Sequence, residues 1–352
     1  MSLPNEVTPL IFGAKEYEIS RSLRFNPADS AYMNRTLSAS DTKKWTWSGW
    51  LKRSLATNGG YQTFFSAGSN SSNFDYIGFN SSTDDYRLIF GIVSGGSDAV
   101  RISTNRLFRD FSAWYHIVVV YDSAQATAAD RVKVYVNGTQ ETSFFETTYP
   151  SLNGVSFING SSAHNIGRNS VLATRYYGGY LAEINFVDGQ ALTPSSFGET
   201  SPTTGVWIPK RYTGTYGTNG FYLSFANNAS TTTLGYDDAG GIAGSGAGSN
   251  DWTLNNFSVT AGVGNDSLSD SPTNNFATWN PIWEERTNAP VNGNLDYGAS
   301  SVGIATFGLS TGKWYWEVTS TGGTSTVALR STSVSSNTTI TTTNTKGLRF
   351  DA

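Results

Sequence analysis

The side chains most able to do chemistry in this sequence are scattered carboxyl groups, two histidines and a set of large aromatics. Retaining glycoside hydrolysis needs two carboxyl groups about 5 Å apart, commonly presented by one strand at i and i+4. Glu16 and Glu18 lie near the N-terminus, Glu284 and Glu285 sit in a linker-like stretch, and Glu183 stands alone among apolar neighbours. His116 falls inside an apolar run, where a hydrogen-bonded structural role is expected. His164 has no acidic or nucleophilic neighbour in sequence. No G-x-S-x-G, Walker A or H-E-x-x-H string occurs. The residues therefore predict a protein that is not an enzyme.

Two kinds of binding remain open at this level. Asp75, the pair Asp84–Asp85 and the pair Asp237–Asp238 could supply oxygens to Ca2+, the one cofactor in view, although none has EF-hand spacing and ordinary turn roles compete. Trp50, Tyr176 and Tyr177 are the candidates for stacking on a sugar ring. Packing in a core or between subunits is the competing reading, because large amphipathic rings serve both ends.

These groups must be carried by strands. Residues 22–25 alternate and stop at Asn26-Pro27. Residues 44–51 place Trp45, Trp47, Gly49 and Leu51 on one face, with Thr46, Ser48 and Trp50 on the other. Residues 76–79, 86–93, 114–121, 131–136, 180–187 and 221–225 read the same way. The run Ile117-Val118-Val119-Val120 implies cover on both faces. Tyr180, Ala182, Ile184 and Phe186 are expected to face together. Asn137-Gly138 signals a type I′ hairpin, because both residues tolerate positive φ. Thr193-Pro194-Ser195-Ser196 suggests one helical turn. The Gly/Ala/Ser-rich stretch 239–249 reads as a flexible loop. The expected order is an N-terminal arm over 1–20, a sandwich with appended strands over 21–260, a linker over 261–275 and a partial second β unit over 276–352.

Composition agrees with an all-β chain. Of 352 residues only 14% are charged, against about 25% in ordinary soluble proteins, while aromatics reach 14% and glycines number 37. Such a mixture favours strands and tight turns over long helices. Net charge is −4, and no basic stripe is present to meet phosphates, so nucleic acid is not an expected partner. Lys43, Lys44, Lys52 and Arg53 read as a solvated strand edge. Without cysteine there are no disulfides or thiolate metal sites. The first residues show no signal-peptide pattern, and no run approaches a membrane span, which predicts folding in a cytoplasm.

Four ordered segments resemble the concanavalin A-like, laminin G family. They are residues 45–51; Trp114-Tyr115-His116-Ile117-Val118-Val119-Val120-Tyr121; Val132-Lys133-Val134-Tyr135-Val136-Asn137-Gly138; and Ile166-Gly167-Arg168 followed by residues 179–184, with Leu192-Thr193-Pro194 closing the series. The resemblance implies an antiparallel jelly-roll β-sandwich. The family's glucanases carry E-x-D-x-x-E along a strand, and that string is missing here. Residues 205–223, with Asn250-Asp251-Trp252-Thr253, are similar to a block that follows such a domain in virion proteins of tailed bacteriophages. Residues 271–280 and Gly312-Lys313-Trp314-Tyr315-Trp316-Glu317-Val318 resemble the opening of a SPRY-like domain. The resemblance implies a structural virion protein, such as a capsid decoration, head fibre or tail-associated protein, assembled in the host bacterial cytoplasm. Its expected partners are other virion proteins, further copies of itself and a host-surface glycan. A tail-fibre adhesin is the alternative, and a depolymerase a more distant one.

Overall fold

The computed structural model describes residues 16–56, 60–80, 85–262, 264–284, 286–298, 301–308 and 317–319, and the backbone alone at 325–330 and 345–350. Strand-forming sequence yields β1 (Ser22–Phe25), β2 (Tyr32–Thr36), β3 (Lys44–Arg53), β4 (Tyr61–Asn70), β5 (Asn73–Asn80), β6 (Arg87–Ser94), β7 (Ser97–Leu107), β8 (Tyr115–Asp122) and β9 (Val132–Val136). The chain continues through β10 (Thr139–Gln140), β11 (Phe144–Thr148), β12 (Ala163–Ile166), β13 (Gly179–Asp188), β14 (Gly198–Thr200), β15 (Trp207–Pro209), β16 (Phe221–Leu223), the short helix α1 (Thr231–Leu234), β17 (Thr253–Asn255) and β18 (Ser267–Leu268). A final pair, β19 (Ser325–Arg330) and β20 (Thr345–Phe350), forms its own antiparallel ribbon.

Two eight-stranded antiparallel sheets make the sandwich. The first runs β10-β9-β8-β3-β13-β1-β18, with β16 also on β13; the second runs β11-β7-β6-β5-β4-β12-β2-β17. Between them lies one apolar core in which Trp45, Trp47, Leu51, Ile117, Val119, Val132, Val134, Val136, Leu181 and Phe186 from the first sheet meet Phe65, Ile77, Phe79, Phe90 and Ile102 from the second. The alternation expected in β3 and β9 is thus realised. Asn137 (φ 48°) and Gly138 (φ 79°) form the β9–β10 turn, and a Cβ on Gly138 would lie 2.5 Å from the Trp207 ring. Pro194–Ser196 is the expected single helical turn, of 3-10 type.

Several expectations are corrected. The expected common face of Tyr180, Ala182, Ile184 and Phe186 breaks at Glu183, which takes φ 53° where the register of β13 on β3 shifts between Ala182 and Asn185. The bulge turns Tyr180 and Ala182 outward and Ile184 and Phe186 inward. Lys52 and Arg53 are not a solvated edge: both are 0% exposed. Lys52 is paired to Asp270 at 2.8 Å, and Arg53 donates to the Phe108 carbonyl at 2.7 Å beneath the Phe79, Tyr86 and Phe111 rings.

That pairing also overturns the linker over 261–275. β18 adds to β1, Asp266 binds the buried Arg24 at 2.9 Å, and Asp270 binds Lys52 and Trp114 Nε1. A stretch rich in Asp reads as solvent-facing, yet here its carboxylates neutralise two buried cations of the first sheet. The glycine-rich stretch 239–249 is likewise ordered rather than free. Asp238 accepts from Gly244 N (2.8 Å) and Gly246 N (2.7 Å), and Asp237 accepts from Ala239 N and Asn250 N.

Together with residues 16–19 and 192–219, these segments form a third layer on the outer face of the first sheet. One cluster there gathers Val118, Val120, Val187, Phe197, Tyr212, Tyr216 and Tyr222, and another gathers Ile19, Trp50, Trp114, Tyr180 and Ala182. The double cover expected for the Ile117–Val120 run comes from this layer. Most of the N-terminal arm, and residues 313–316 of the strand expected near the C-terminus, lie outside the described residues. No described helix is long and apolar enough to cross a membrane.

Candidate functional site

The outer face of the second sheet carries a smaller cover: Val171 and Leu172 pack on it, and Tyr61, Arg101 and Arg175 stay partly exposed at its surface. Its floor is set by alternation: Phe74 and Tyr76 of β5 and Ile89 of β6 point away from the core and make a small apolar cluster. Gly91 of β6 lies beneath the Tyr76 ring, whose atoms would approach a Cβ there to 2.5 Å. Tyr61 of β4 stands beside Tyr76, with ring centroids 5.6 Å apart.

Arg101 of β7, between the inward Val100 and Ile102, projects onto these rings. Its Nη2 donates to Tyr61 Oη at 2.9 Å and its Nη1 to Asp98 at 3.1 Å, while its Nε donates to Glu146 of the edge strand β11. Burial by itself would lower the Arg101 pKa, but the hydrogen bonds to Glu146 and Tyr61 hold it above its ordinary value. Arg175 also reaches Tyr61, its guanidinium 4.7 Å from the ring centroid. At the far end of the face Arg87 lies 4.1 Å over Phe145, which is 58% exposed. The result is a band of aromatic rings and guanidinium groups with carboxylates at its rim. Such a surface can stack on an apolar sugar face and donate hydrogen bonds to ring substituents.

The loop that presents Arg175 is held firmly. Asn169 Oδ1 accepts from Val171 N and Leu172 N, both of whose side chains pack on the apolar floor, and Thr63 N donates to the Arg175 carbonyl at 2.8 Å.

The expected sugar-binding residues divide at this loop. Tyr176 is half-buried next to Arg175, with its backbone bridged to Thr63. Tyr177 points into the core, is 0% exposed and donates to the Lys52 carbonyl at 3.0 Å. Trp50 does occupy an outer face, but the third layer covers it to 4% exposure, stacked on His116. Neither Tyr177 nor Trp50 offers a face to a ligand. The residues that form the band were missed. Alternation marks Arg101 as outward, but nothing in sequence pairs it with Tyr61 forty positions earlier.

The expected calcium ligands are committed elsewhere. Asp75 is buried on the inner face, where one oxygen, Oδ2, accepts from Ser156 Oγ, Phe157 N and Ile158 N and so pins the loop before β12. Burial pushes its pKa up to about 7. Asp85 binds Arg87 at 2.7 Å and Asn80; Asp84 lies outside the described residues. Among the described residues no three His, Asp or Glu gather to hold a metal ion.

Both histidines are structural. His116 Nδ1 accepts from Trp207 Nε1 at 3.1 Å, so its Nε2 carries the proton toward Ser48 Oγ, and burial lowers its pKa to about 3. His164 Nε2 accepts from Asn159 N, leaving Nδ1 to donate to the Ser162 carbonyl.

A second concavity of about 360 Å³ lies between Tyr17, Arg211, Tyr212, Tyr216 and Gly240–Ala243. Beneath it Glu183 is buried, with one oxygen accepting from Tyr17 Oη (2.9 Å) and the other from Tyr222 Oη (2.7 Å). Burial raises its pKa to about 7. Nearby Asp238 has both oxygens taken by Ser224, Gly244 and Gly246, so it offers Glu183 no free catalytic partner.

Residues 27–196 match a laminin G-type family model described as the concanavalin A-like lectin/glucanases superfamily. A search of curated proteins matched nothing. Among solved structures, the chain is similar to a putative carbohydrate binding protein from Bacteroides ovatus (15% identity, 68% of this chain and 59% of that one, TM-score 0.41). It is also similar to domains LG4-5 of the mouse laminin alpha1 chain (13% identity, 60% and 48%, TM-score 0.36). A third similarity is to the heptameric SAP-like pentraxin of Limulus polyphemus (16% identity, 50% and 80%, TM-score 0.36). The matched span holds twelve of the thirteen strands up to β13, including both hydrogen-bonded centres of the sandwich. Residues 27–196 are a domain of the concanavalin A-like lectin/glucanase superfamily.

Proposed function

We propose that the protein is a non-catalytic glycan-binding component of a tailed-phage particle, which contacts a host-surface polysaccharide through the outer face of its second sheet. The observation that carries the binding half is the Tyr61–Arg101–Arg175 arrangement, a ring and two guanidinium groups left partly exposed together on the outer face of the second sheet. A lectin-type domain gives that surface a rigid base. The non-catalytic half is supported by the state of the acids: Glu183 and Asp238 are occupied by internal donors, as a structural role requires. The virion assignment is supported by the likeness of residues 205–223 and 250–253 to a block of phage virion proteins. In this fold that block covers the first sheet and supplies Trp207, Tyr212, Tyr216 and Tyr222 to it.

Screening the full chain on an array of bacterial surface glycans tests the first half. Binding that falls at least tenfold in Tyr61→Ala supports it; uniformly blank spots refute it. Release of reducing ends from any bound polysaccharide would refute the non-catalytic reading. Mass spectrometry of purified particles tests the virion assignment, since absence of the chain from mature virions would remove the structural role.

A further inference from the structure

The guanidinium groups on this face are not equivalent. Arg101 is ion-paired twice, to Asp98 and Glu146, and Arg87 is paired to Asp85. Among the described residues the Arg175 guanidinium has no carboxylate at ion-pair distance and lies over the Tyr61 ring. It acts on the same site, because both Arg101 and Arg175 stabilise charge on the Tyr76 phenol, whose pKa burial nevertheless raises. The backbone that carries it is costly: Arg175 has φ 60° and Ala173 φ 47°, in the left-handed region that side chains disfavour by about 1–2 kcal/mol. Hydrogen bonds and apolar anchors on both sides hold that conformation, so the chain maintains a strained turn whose visible product is one unpaired cation beside an aromatic ring.

Resting on the glycan-binding reading above, we infer that Arg175 is a carboxylate-reading residue and that the glycan is an acidic one, bearing a carboxylated pyranose such as a hexuronic or nonulosonic acid. A planar guanidinium meets a carboxylate through two parallel N–H···O bonds, a geometry neutral hydroxyls do not match. The pairing pattern, not the net charge, sets the number of acid groups read. Asp85, Asp98 and Glu146 bring the face to neutrality, but all three sit on Arg87 and Arg101, so Arg175 is the one guanidinium of the three left to pair with a ligand carboxylate. A densely sulfated chain gains nothing further here, and the net charge of −4 opposes it.

The test uses the full chain on matched pairs of oligosaccharides. Oligomers of galacturonic, glucuronic, mannuronic and N-acetylneuraminic acid are each set beside their methyl-esterified, uncharged forms, with heparin as the sulfated control. At least one acid form should bind tenfold or more tightly than its ester. In Arg175→Gln that preference should collapse to parity, the acid form losing far more affinity than its ester, and Arg175→Lys, which keeps charge but loses the fork, should fall between. Lys210→Gln, on an exposed strand end, should change nothing. Equal binding of acid and ester by the wild-type chain, or heparin above every uronate, overturns the acidic specificity and leaves glycan binding standing. No binding to either member of any pair overturns both.

Discussion

A carboxyl group shut inside a β-sandwich favours its proton, and Asp75 shows how far this goes here. Its folded pKa is raised from 3.8 to about 7, mainly by burial, while the hydrogen bonds from Ser156 and the backbone oppose the shift. The folded state therefore holds more protons than the unfolded chain between those values. Asp75 contributes stability fully below about pH 4, and that contribution disappears as pH rises through about 7. Asp75→Asn keeps an acceptor for the loop but cannot ionise. Relative to wild type, the variant should gain more than about 1 kcal/mol between pH 5 and pH 8, read as the shift in urea midpoint. An unchanged difference across that range would contradict the buried titration. His116 acts in the opposite sense: its folded pKa is depressed to about 3, so its contribution is present above about 6.5 and lost in acid.

At the scale of elements, two contacts decide how the face and its support are built. Gly91 lets Tyr76 lie against β6, and Tyr76 in turn supports Tyr61 and Arg101. Gly91→Ala should destabilise the chain by about 1–3 kcal/mol through overpacking and weaken glycan binding in step, with a thermal melt and an array reading the two effects. The second contact is the β18 segment. Removing Asp270 by Asp270→Ala leaves Lys52 buried without its ion partner, a loss expected to cost about 3–5 kcal/mol. Adding Lys52→Met should return much of it, because an apolar side chain then replaces the stranded charge. If Asp270→Ala melts with wild type, the segment is dispensable after all.

For the whole molecule, a two-sheet core is not enough. The first sheet exposes Trp50, Val118, Val120, Tyr180 and Val187 on its outer side, and two cations, Arg24 and Lys52, stand among them. A chain ending at residue 260 would keep nearly every strand of the sandwich yet lose Asp266 and Asp270. Such a truncation is expected to be insoluble or to melt at least 10 °C lower by differential scanning fluorimetry, and limited proteolysis of the intact chain should spare 264–276. Rapid cleavage within that span would restore the linker reading. Under the glycan-binding proposal the same asymmetry explains the choice of face: the outer side of the first sheet is spent on internal cover, which leaves the second.

Period-two alternation decided much of this in advance. Trp45, Trp47 and Leu51, or Val132, Val134 and Val136, can share a face only in a strand, and the Asn137-Gly138 turn can join only a hairpin. Strand identity, the sandwich class and the family of residues 27–196 were therefore legible in the sequence. Tertiary structure alone decided what lay on the outward positions. Trp50 and Tyr177 look like Tyr61 in sequence, but whether an outward ring meets solvent depends on segments remote in the chain, as Leu268, more than 200 residues away, and Ile19 show for Trp50. The band of Tyr61, Arg101 and Arg175 likewise depends on strand order, since sheet pairing brings together residues that no local period connects. One bulged residue, Glu183, reversed the faces along β13, because a left-handed φ shifts every later side chain by one position.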